Sequence, residues 1–430
     1  MKKQFSNLDE WLDWQQTLHS KNIDFKLERI KSVYKKLKIN KIAKKVIIVA
    51  GTNGKGSTVA LLENILHENG FNVGSFTSPH MLSYNERIKI NNKEVETKKI
   101  IDAFEIVNNN RGKKTLTYFE FATLAAFYLF HQHELDFVIL EVGLGGRLDA
   151  TNIIDSDISI ITSIGIDHVE FLGSTVDSIA LEKAGVMRPF CQCIFAQKNP
   201  PTVLLSYAKK NSTNFLYNGN DFSHNVLKNS WSWKNKNFKI TGLPLLSLTG
   251  SFQYYHAAAA LSALHHLSPN ILDNKDCLFK ALTKTILLGR YQVISKNPEI
   301  ILDVAHNADA SVELYKNLSY SPARRTIAVI GILRDKDIYS LVKPMKSIID
   351  SWYCGTIDNE RGMNSEEIKY RISSIIDKQY LQSYPSIVEA YSAAVQSLHK
   401  DDRLIVYGSF YTVSEILKFV KFNKEIAVNM

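Results

Sequence analysis

Short apolar runs rich in Val and Ile alternate with longer stretches in which apolar residues recur every three or four positions. The first pattern is typical of strands buried on both faces, and the second of amphipathic helices. In the first half of the chain, the strand-like runs are Val46–Ala50, Val73–Thr77, Phe137–Leu140, Ile158–Thr162 and Ile194–Ala196. The helical patterns are Thr58–Asn69, Lys98–Asn108, Phe121–His131 and Val176–Ala184. This alternation predicts an α/β fold with a parallel sheet covered by helices.

The texture of the chain changes between Asn214 and Leu248, where aromatic residues alternate with Asn, Gly and Lys. This stretch predicts a small antiparallel sheet before an alanine-rich helix at Tyr254–Leu267. A second α/β rhythm begins near Leu288-Gly289, with strands expected at Ile300–Asp303, Thr326–Ile330, Ser351–Tyr353, Tyr380–Ser383 and Leu404–Tyr407. The sequence therefore predicts two domains, residues 1–288 and 289–430.

Length and composition agree with two domains of a globular protein. A chain of 430 residues exceeds what one hydrophobic core usually serves. The net charge of +9 comes from scattered lysines, for which a solvated surface and a site for a small acidic substrate are the two interpretations. We find no basic stripe interleaved with aromatic residues, so we expect no nucleic-acid partner.

The cysteines and the apolar runs bear on the compartment. Four cysteines without metal-site spacing argue against a disulfide framework. The start of the chain holds no apolar run typical of a signal peptide, and no segment approaches the ~20 apolar residues that a membrane span needs. We therefore expect a cytoplasmic protein with no membrane partner.

A glycine-rich turn follows the first strand-like run, and its one lysine is followed by two hydroxyl residues. Its residues in order are Gly51, Thr52, Asn53, Gly54, Lys55, Gly56, Ser57 and Thr58. Such a turn before a helix can cradle phosphates with its backbone N–H groups, while Lys55 reaches the outer oxygens and Ser57 or Thr58 ligates Mg²⁺. The match to the general phosphate-loop pattern is imperfect, because Gly56 separates the lysine from the hydroxyls. A glycine-rich β-turn without a ligand is the alternative.

A carboxylate and a second glycine-rich turn follow the strand at Phe137–Leu140. Glu141 closes that strand, so we expect it at the carboxyl edge of the sheet, where ligands bind in open α/β folds. Mg²⁺ prefers such hard oxygen donors, although a simple strand-end cap is the alternative. In the turn that follows, Arg147 and Asp149 could face a substrate.

For the remaining candidates, residue type alone does not decide between a structural and a functional role. A lone histidine such as His168 is more often a hydrogen-bonded structural residue than a metal ligand. Lys183, in a helical segment, is more often a solvated lysine. Arg290 and Asp303, near the start of the second domain, could equally form a surface ion pair.

Motifs along nearly the whole chain resemble one family. They are Leu18-His19-Ser20-Lys21, Gly51-Thr52-Asn53-Gly54-Lys55-Gly56-Ser57, Thr77-Ser78-Pro79-His80, Asn85-Glu86-Arg87-Ile88, Thr117-Tyr118-Phe119-Glu120, Glu141-Val142-Gly143-Leu144-Gly145-Gly146-Arg147-Leu148-Asp149-Ala150-Thr151-Asn152, Asp167-His168, Glu182-Lys183-Ala184-Gly185, Leu288-Gly289-Arg290, Asp303-Val304-Ala305-His306-Asn307, Asp335-Lys336-Asp337 and Gly408-Ser409-Phe410. Their order and spacing resemble the folylpolyglutamate synthase and dihydrofolate synthase branch of the Mur ligase superfamily.

The resemblance implies a fold and a nucleotide site. The fold is a Mur-ligase-like ATP-binding domain with a small antiparallel sheet, followed by a Rossmann-like glutamate-ligase domain. The implied ATP-binding residues are Gly54, Lys55, Gly56, Ser57, Thr58, His256, Arg290 and Asp303. His256 stands where relatives place asparagine, at a position expected near the adenine. Two Mg²⁺ sites are implied, with the ligands Ser57, Ser78, Glu141 and His168, and the family carbamylates the lysine at position 183. Lys55, Lys183, His168 and Glu141 are the residues implied to be catalytic.

The resemblance also implies a reaction, in which ATP activates a substrate carboxylate and L-glutamate attacks the acyl phosphate. The implied substrate-binding residues are Asp24, Phe25, Lys26, Leu27, Thr117, Tyr118, Phe119, Glu120, Leu148, Asp149, Ala150, His306 and Ser409. The segments at Asp24 and Thr117 are similar to those that bind dihydropteroate in bifunctional enzymes, which favours action on both dihydropteroate and reduced folates. A monofunctional folylpolyglutamate synthase and another P-loop kinase are the alternatives. We expect a monomer whose partners are small molecules.

Overall fold

The computed structural model describes residues 4–428. Its helices are α1 (Leu8–Thr17), α2 (Leu27–Lys36), α3 (Lys55–Glu68), α4 (Thr97–Arg111), α5 (Tyr118–His131), α6 (Val169–Leu172), α7 (Val176–Ala184), α8 (Thr202–Lys210), α9 (Gln253–Leu267), α10 (Lys275–Lys284), α11 (Ala308–Ser319), α12 (Ile338–Val342), α13 (Ser365–Ile372), α14 (Ile387–Gln396) and α15 (Phe410–Val428). Within the described residues, no helix is both long and apolar enough to cross a membrane.

The strands are β1 (Lys45–Ala50), β2 (Val73–Phe76), β3 (Ile88–Ile90), β4 (Lys93–Glu94), β5 (Phe137–Glu141), β6 (Ile158–Ile161), β7 (Gln192–Phe195), β8 (Asn214–Tyr217), β9 (Phe222–Val226), β10 (Trp231–Asn235), β11 (Lys239–Leu243), β12 (Gln292–Lys296), β13 (Glu299–Leu302), β14 (Thr326–Ile330), β15 (Ser351–Gly355), β16 (Leu381–Tyr384) and β17 (Arg403–Tyr407). The chain forms two compact units.

The first unit is built on an eight-stranded sheet in the order β4-β3-β2-β5-β1-β6-β7-β8. The strands from β2 to β8 in that order are parallel, and β3 and β4 add an antiparallel edge. Residues 46–50 of β1 are all buried, as the Val/Ile run predicts for a central parallel strand. The predicted parallel sheet is confirmed, and the carboxyl ends of β1, β2 and β5 meet at one edge.

A three-stranded antiparallel sheet, in the order β11-β10-β9, also belongs to the first unit. Its tryptophans Trp231 and Trp233 are fully buried, and the indole N–H of Trp233 donates to Ser262 Oγ on α9 at 3.2 Å. The small sheet is confirmed, but its expected start at Asn214 is wrong. The segment Asn214–Tyr217 pairs in parallel with β7 instead, because helix α8 returns the chain to the edge of the large sheet.

The second unit contains a six-stranded sheet in the order β12-β13-β17-β14-β15-β16. Its strands are parallel except β12, which pairs antiparallel with β13 at the edge. Strand β17 lies in the middle of the sheet and is buried along its whole length. The expected second α/β domain is confirmed, with a Rossmann-like parallel sheet.

Two short segments of the second unit come from within the sequence of the first. The first unit comprises the described residues up to Gly165 together with Leu172–Ser247 and Gln253–Ile286. The second unit comprises Ile166–Phe171, Leu248–Phe252 and the described residues from Leu287 onward. Asp167 and His168 therefore pack with residues far along the chain, which the hydrophobic pattern does not reveal.

Candidate active site

The turn after β1 is shaped by glycines that no other residue could replace without strain. Gly54 has a φ of +86° and precedes α3. A Cβ atom at this position would lie 2.0 Å from His256 Nε2, and one at Gly51 would lie 1.8 Å from Thr162 Oγ1. The His256 side chain is buried, and its Nδ1 atom lies 3.2 Å from Gln253 Oε1. The turn is thus held against two side chains from elsewhere in the first unit.

Helix α3 begins at Lys55, three residues before the expected start at Thr58. The first-turn N–H groups of a helix have no intrahelical acceptor, so those of Lys55, Gly56 and Ser57 are the ones available to an anion. The Lys55 ammonium donates to the carbonyl oxygens of Gly51 at 3.0 Å and Thr52 at 3.3 Å. The cation is therefore held within the curl of the turn.

The structure distinguishes the two candidate hydroxyls at this helix start. Thr58 Oγ1 donates to the carbonyl oxygen of Gly54 at 3.0 Å. Ser57 Oγ is buried and has no hydrogen-bond partner within residues 4–428. A buried hydroxyl without a partner costs free energy unless a ligand satisfies it. Ser57 therefore fits a metal ligand better than Thr58.

Glu141 lies at the carboxyl end of β5, paired in register with Val49 of β1. The side chain is only 5% exposed, and its Oε2 accepts a hydrogen bond from the backbone N–H of Ser78 at 3.3 Å. In the part of the chain that the structure describes, no group of three His, Cys, Asp or Glu side chains could hold a metal ion. A Mg²⁺ ion can bind through few protein ligands, completed by phosphate and water oxygens. The residues Ser57, Ser78 and Glu141 fit such a site.

The second glycine-rich turn is organised by Asp149. Its carboxylate accepts hydrogen bonds from Leu144 N at 2.9 Å, Thr151 N at 2.9 Å and Thr151 Oγ1 at 2.6 Å. Burial raises the pKa of Asp149 above its usual value. Because these contacts lie within the turn, Asp149 fixes the shape of the segment that carries the substrate candidates Leu148 and Ala150.

Lys183 lies on α7 and is buried, with 3% of its surface exposed. The second glycine-rich turn packs closely on this part of α7, since a Cβ atom at Gly146 would lie 3.1 Å from Lys183 Cα. The neighbouring Glu182 instead pairs with Arg147 at 2.8 Å near the surface. The solvated surface lysine that residue type alone favours is therefore wrong for this position.

An ion-pair network joins the two predicted dihydropteroate segments. Arg29 donates to Asp24 Oδ2 at 2.6 Å and to both carboxylate oxygens of Glu120 at 3.0 and 3.1 Å. Glu120 also accepts from the backbone N–H of Thr117, which caps α5. Burial alone would raise the pKa of Asp24, but Arg29 and His19 hold it below its usual value. Arg29 is not among the predicted residues, although its position five residues after Asp24, at the start of α2, was a usable signal.

The other substrate candidates differ in their surroundings. Phe119 packs against the second glycine-rich turn, where a Cβ atom at Gly143 would lie 2.6 Å from its ring. The guanidinium of Arg87 lies 5.5 Å from the ring centroid of Tyr118. Phe25 and Leu27 are half-buried and Lys26 is exposed. The structure thus brings Asp24, Thr117 and Glu120 of this set together around Arg29.

In the second unit, two predicted residues, Arg290 and His306, lie beside Phe410, which is not among the predicted site residues. The Arg290 guanidinium lies 5.0 Å from the Phe410 ring centroid, and the His306 ring lies 5.9 Å from it. Asp303 accepts from the backbone N–H groups of Tyr291 and Ala305, each at 2.8 Å. Burial raises the pKa of Asp303 above its usual value.

Two further predicted residues of the second unit, Ser409 and His168, have polar groups that form hydrogen bonds within the protein. Ser409 Oγ accepts from the backbone N–H of Thr412 at 3.0 Å, at the start of α15. His168 has a left-handed backbone with φ of +51°, and its N–H donates to Asp167 Oδ1 at 2.8 Å. A positive φ is uncommon outside glycine, so the Asp167 contact helps to set the direction of His168.

Comparisons with known proteins agree with this geometry. Residues 49–264 match the model of the Mur ligase middle domain, and residues 289–410 match that of the Mur ligase glutamate ligase domain. The chain is 38% identical to a Haemophilus influenzae protein named dihydrofolate synthase/folylpolyglutamate synthase, over 97% of this chain and 99% of that protein.

Solved structures give the same result. One is Escherichia coli FolC in complex with DHPP and ADP, with a TM-score of 0.93 and 36% identity over 99% of this chain and 100% of that chain. Another is a bifunctional folylpolyglutamate synthase/dihydrofolate synthase with Mn, AMPPNP and L-glutamate bound, with a TM-score of 0.90 and 36% identity over 97% of this chain and 98% of that chain. The chain therefore belongs to the dihydrofolate synthase/folylpolyglutamate synthase family of Mur ligases.

Proposed function

We propose that this chain is an ATP-dependent ligase that joins L-glutamate to dihydropteroate, forming dihydrofolate, and to the γ-carboxylate of reduced folates. The observation that carries the proposal lies at the edge of the large sheet, where the glycine-rich turn with Lys55 follows β1, the strand paired with Glu141. The buried Ser57 hydroxyl of this turn has no hydrogen-bond partner among residues 4–428. Similar proteins are named for these two activities, and solved relatives hold ADP, AMPPNP, DHPP or L-glutamate.

In the proposed reaction, the γ-phosphoryl group of ATP passes to the substrate carboxylate and ADP leaves. The amine of L-glutamate then attacks the acyl phosphate, and phosphate leaves as the amide forms. Catalysis of this kind depends on positioning and on neutralising charge, and it needs no protein nucleophile. Lys55 and the first-turn N–H groups of α3 would hold the phosphates, while Gly54, Gly56 and Thr58 keep the turn in shape.

The metal and the modified lysine are parts of the proposal. Ser57, Ser78 and Glu141 would hold a Mg²⁺ ion, which supplies charge neutralisation to the phosphates when bound. We propose a second Mg²⁺ with His168 as a ligand. Carbamylation joins the Lys183 amine to CO₂ with release of a proton, and it would make the buried Lys183 an anion suited to that metal.

The substrate assignments divide between the units. Asp24, Phe25, Lys26, Leu27, Thr117, Tyr118, Phe119 and Glu120 are proposed to bind dihydropteroate or folate, with Leu148, Asp149 and Ala150. Arg290 and Asp303 are proposed to contribute to ATP binding, as is His256, and His306 and Ser409 to glutamate binding. We propose residues 1–288 as the ATP-binding domain and 289–430 as the glutamate-ligase domain, in a cytoplasmic monomer.

The test is ADP release by the purified chain with each substrate left out in turn. We expect release to require both L-glutamate and an acceptor, and to occur with dihydropteroate and with tetrahydrofolate. Extension of tetrahydrofolate without conversion of dihydropteroate would leave only the folylpolyglutamate synthase. Release that is equally fast without L-glutamate would indicate a kinase instead.

A further inference from the structure

The carboxylate of Asp167 is the centre of a buried network in the second unit. Its Oδ1 accepts from Lys336 Nζ at 2.5 Å, and its Oδ2 accepts from Asn307 Nδ2 at 3.0 Å and faces His306 Nε2 at 3.3 Å. The side chains of Asp167 and Lys336 are only 9% and 7% exposed. With the backbone N–H of His168, four donors surround this one carboxylate.

The charges in this network are matched. The Lys336 ammonium lies 2.5 Å from Asp167 Oδ1 and 3.9 Å from Asp335 Oδ2, so it faces two carboxylates and is much closer to that of Asp167. A charge that is buried to this degree without a partner is strongly unfavourable. The Lys336 ammonium therefore stabilises the buried carboxylate of Asp167.

The network fixes the orientation of His306. The Nδ1 atom of the ring lies 2.9 Å from the carbonyl oxygen of Val304, while Nε2 faces Asp167. Contacts at both nitrogens leave the ring no freedom to rotate without losing one of them. Asn307 extends the network, because its Oδ1 accepts from Ala310 N and caps α11.

We propose that Asp167 and Lys336 form a positioning pair that sets the orientation of His306 for L-glutamate binding. The inference rests on the proposed role of His306. The pair makes no proposed contact with substrate itself: Lys336 secures the Asp167 carboxylate, and Asp167 secures the imidazole. Weakening the pair therefore loosens His306 and the affinity for glutamate, whereas the phosphate turn of the first unit keeps its own contacts.

The experiment compares KM values for L-glutamate and for ATP in single and double variants. Lys336→Met and Asp167→Asn are each expected to raise the KM for L-glutamate about tenfold, since small misplacements of a binding group have effects of this size or larger. In Lys336→Met, which leaves the contact between His168 N and the Asp167 carboxylate in place, the KM for ATP should stay within about twofold. Lys316→Met is the matched control, because Lys316 is exposed and pairs with Glu313 within α11. Lys336→Arg should retain most of the affinity for glutamate.

His306→Gln separates this inference from the proposed function. If that variant leaves the KM for L-glutamate unchanged, the role of His306 is wrong. If it raises that KM while Asp167→Asn does not, the positioning pair is wrong. In the double variant Asp167→Asn/His306→Gln, we expect little more than the effect of His306→Gln alone, and fully additive effects would overturn the inference. Asp167→Asn preserves the shape of the side chain, so it serves if Lys336→Met does not fold.

Discussion

In the first unit, the backbone of a short turn shapes the candidate phosphate site, whereas in the second unit a network of charged side chains holds the candidate glutamate site. Lys55 contacts carbonyls three and four residues away in the chain. Asp167 contacts Lys336, which is 169 residues away. The Lys55 contacts of the first site close within one turn, although His256 and Thr162 from elsewhere in the first unit hold that turn in place. The second site instead joins side chains that lie far apart in the chain. We therefore expect variants at the first site to affect turnover, and variants at the second to affect affinity and stability together.

The largest effects test the locally built site. Lys55→Ala and Glu141→Ala should each lower kcat about a hundredfold, since losing a contact that neutralises charge in phosphoryl transfer costs ~3 kcal/mol. The unfolding temperature should change little. Steady-state kinetics measures kcat and thermal unfolding measures the unfolding temperature. Lys44→Ala is the control, because Lys44 is exposed and pairs with Asp136 at the surface. Turnover close to that of the parent protein would show that these residues are wrongly assigned.

The next effect tests whether a buried side chain in the first unit also acts in catalysis. Lys183→Ala should lower kcat more than about tenfold, as loss of support for a metal site commonly does. A small added carboxylate should restore part of the activity, and removal of bicarbonate should weaken the parent protein. Lys210→Ala, at the exposed end of α8, is the control. Full activity of Lys183→Ala would remove the carbamate from the mechanism.

The next prediction tests whether the Arg29 ion-pair network of the first unit supports substrate affinity, as we propose for the Asp167 network of the second unit. The expected effect is smaller. Arg29→Met leaves the carboxylates of Asp24 and Glu120 without their shared cation. We expect the KM for dihydropteroate to rise about fivefold and the protein to lose about 2 kcal/mol of stability, with the KM for ATP unchanged. Steady-state kinetics measures the KM values and urea unfolding measures the stability. Lys31→Met, on the exposed side of α2, is the control. An altered KM for ATP alone would contradict the assignment.

The smallest effect is the pH dependence of stability contributed by Asp24. Its folded pKa lies below the usual value. The stabilisation is therefore complete above the unfolded pKa, about 3.9, and is lost as the pH falls through the folded pKa. Asp24→Asn should be less stable at pH 7 by about 1 kcal/mol or less, since the pair is partly solvated. Urea unfolding should show this difference vanish in acid, and Asp13→Asn, at an exposed position of α1, is the control. A difference that is constant with pH would exclude the ion pair as its cause.

The sequence predicts those parts of the fold and of the candidate site that depend on residues close together in the chain. The parallel strands, the glycine turn with Lys55 and the carboxylate Glu141 at a strand end all follow from local patterns. The start of α3 at Lys55 was missed, because glycines at Gly54 and Gly56 look like a turn until tertiary contacts hold them. The place of Asn214–Tyr217 was missed because a strand pattern does not state its partner.

The side-chain networks of Asp167 and Arg29 could not be predicted from local sequence patterns. The motif containing Lys336 carried no role, because its partner Asp167 lies 169 residues earlier. Phe410 is an ordinary aromatic residue until the fold places it beside Arg290 and His306. Arg29 could have been noticed from its spacing to Asp24, but its second partner Glu120 could not.

The segment Ile166–Phe171 has a consequence for domain exchange between relatives. It packs with the second unit although it is encoded inside the first. A hybrid gene joined at residue 288 would take the carboxylate of Asp167 from one parent and the lysine of position 336 from the other. Recombination at that junction is expected to preserve the affinity for L-glutamate only when both parents carry the matching partners, so the candidate glutamate site is not inherited through the C-terminal part of the gene alone.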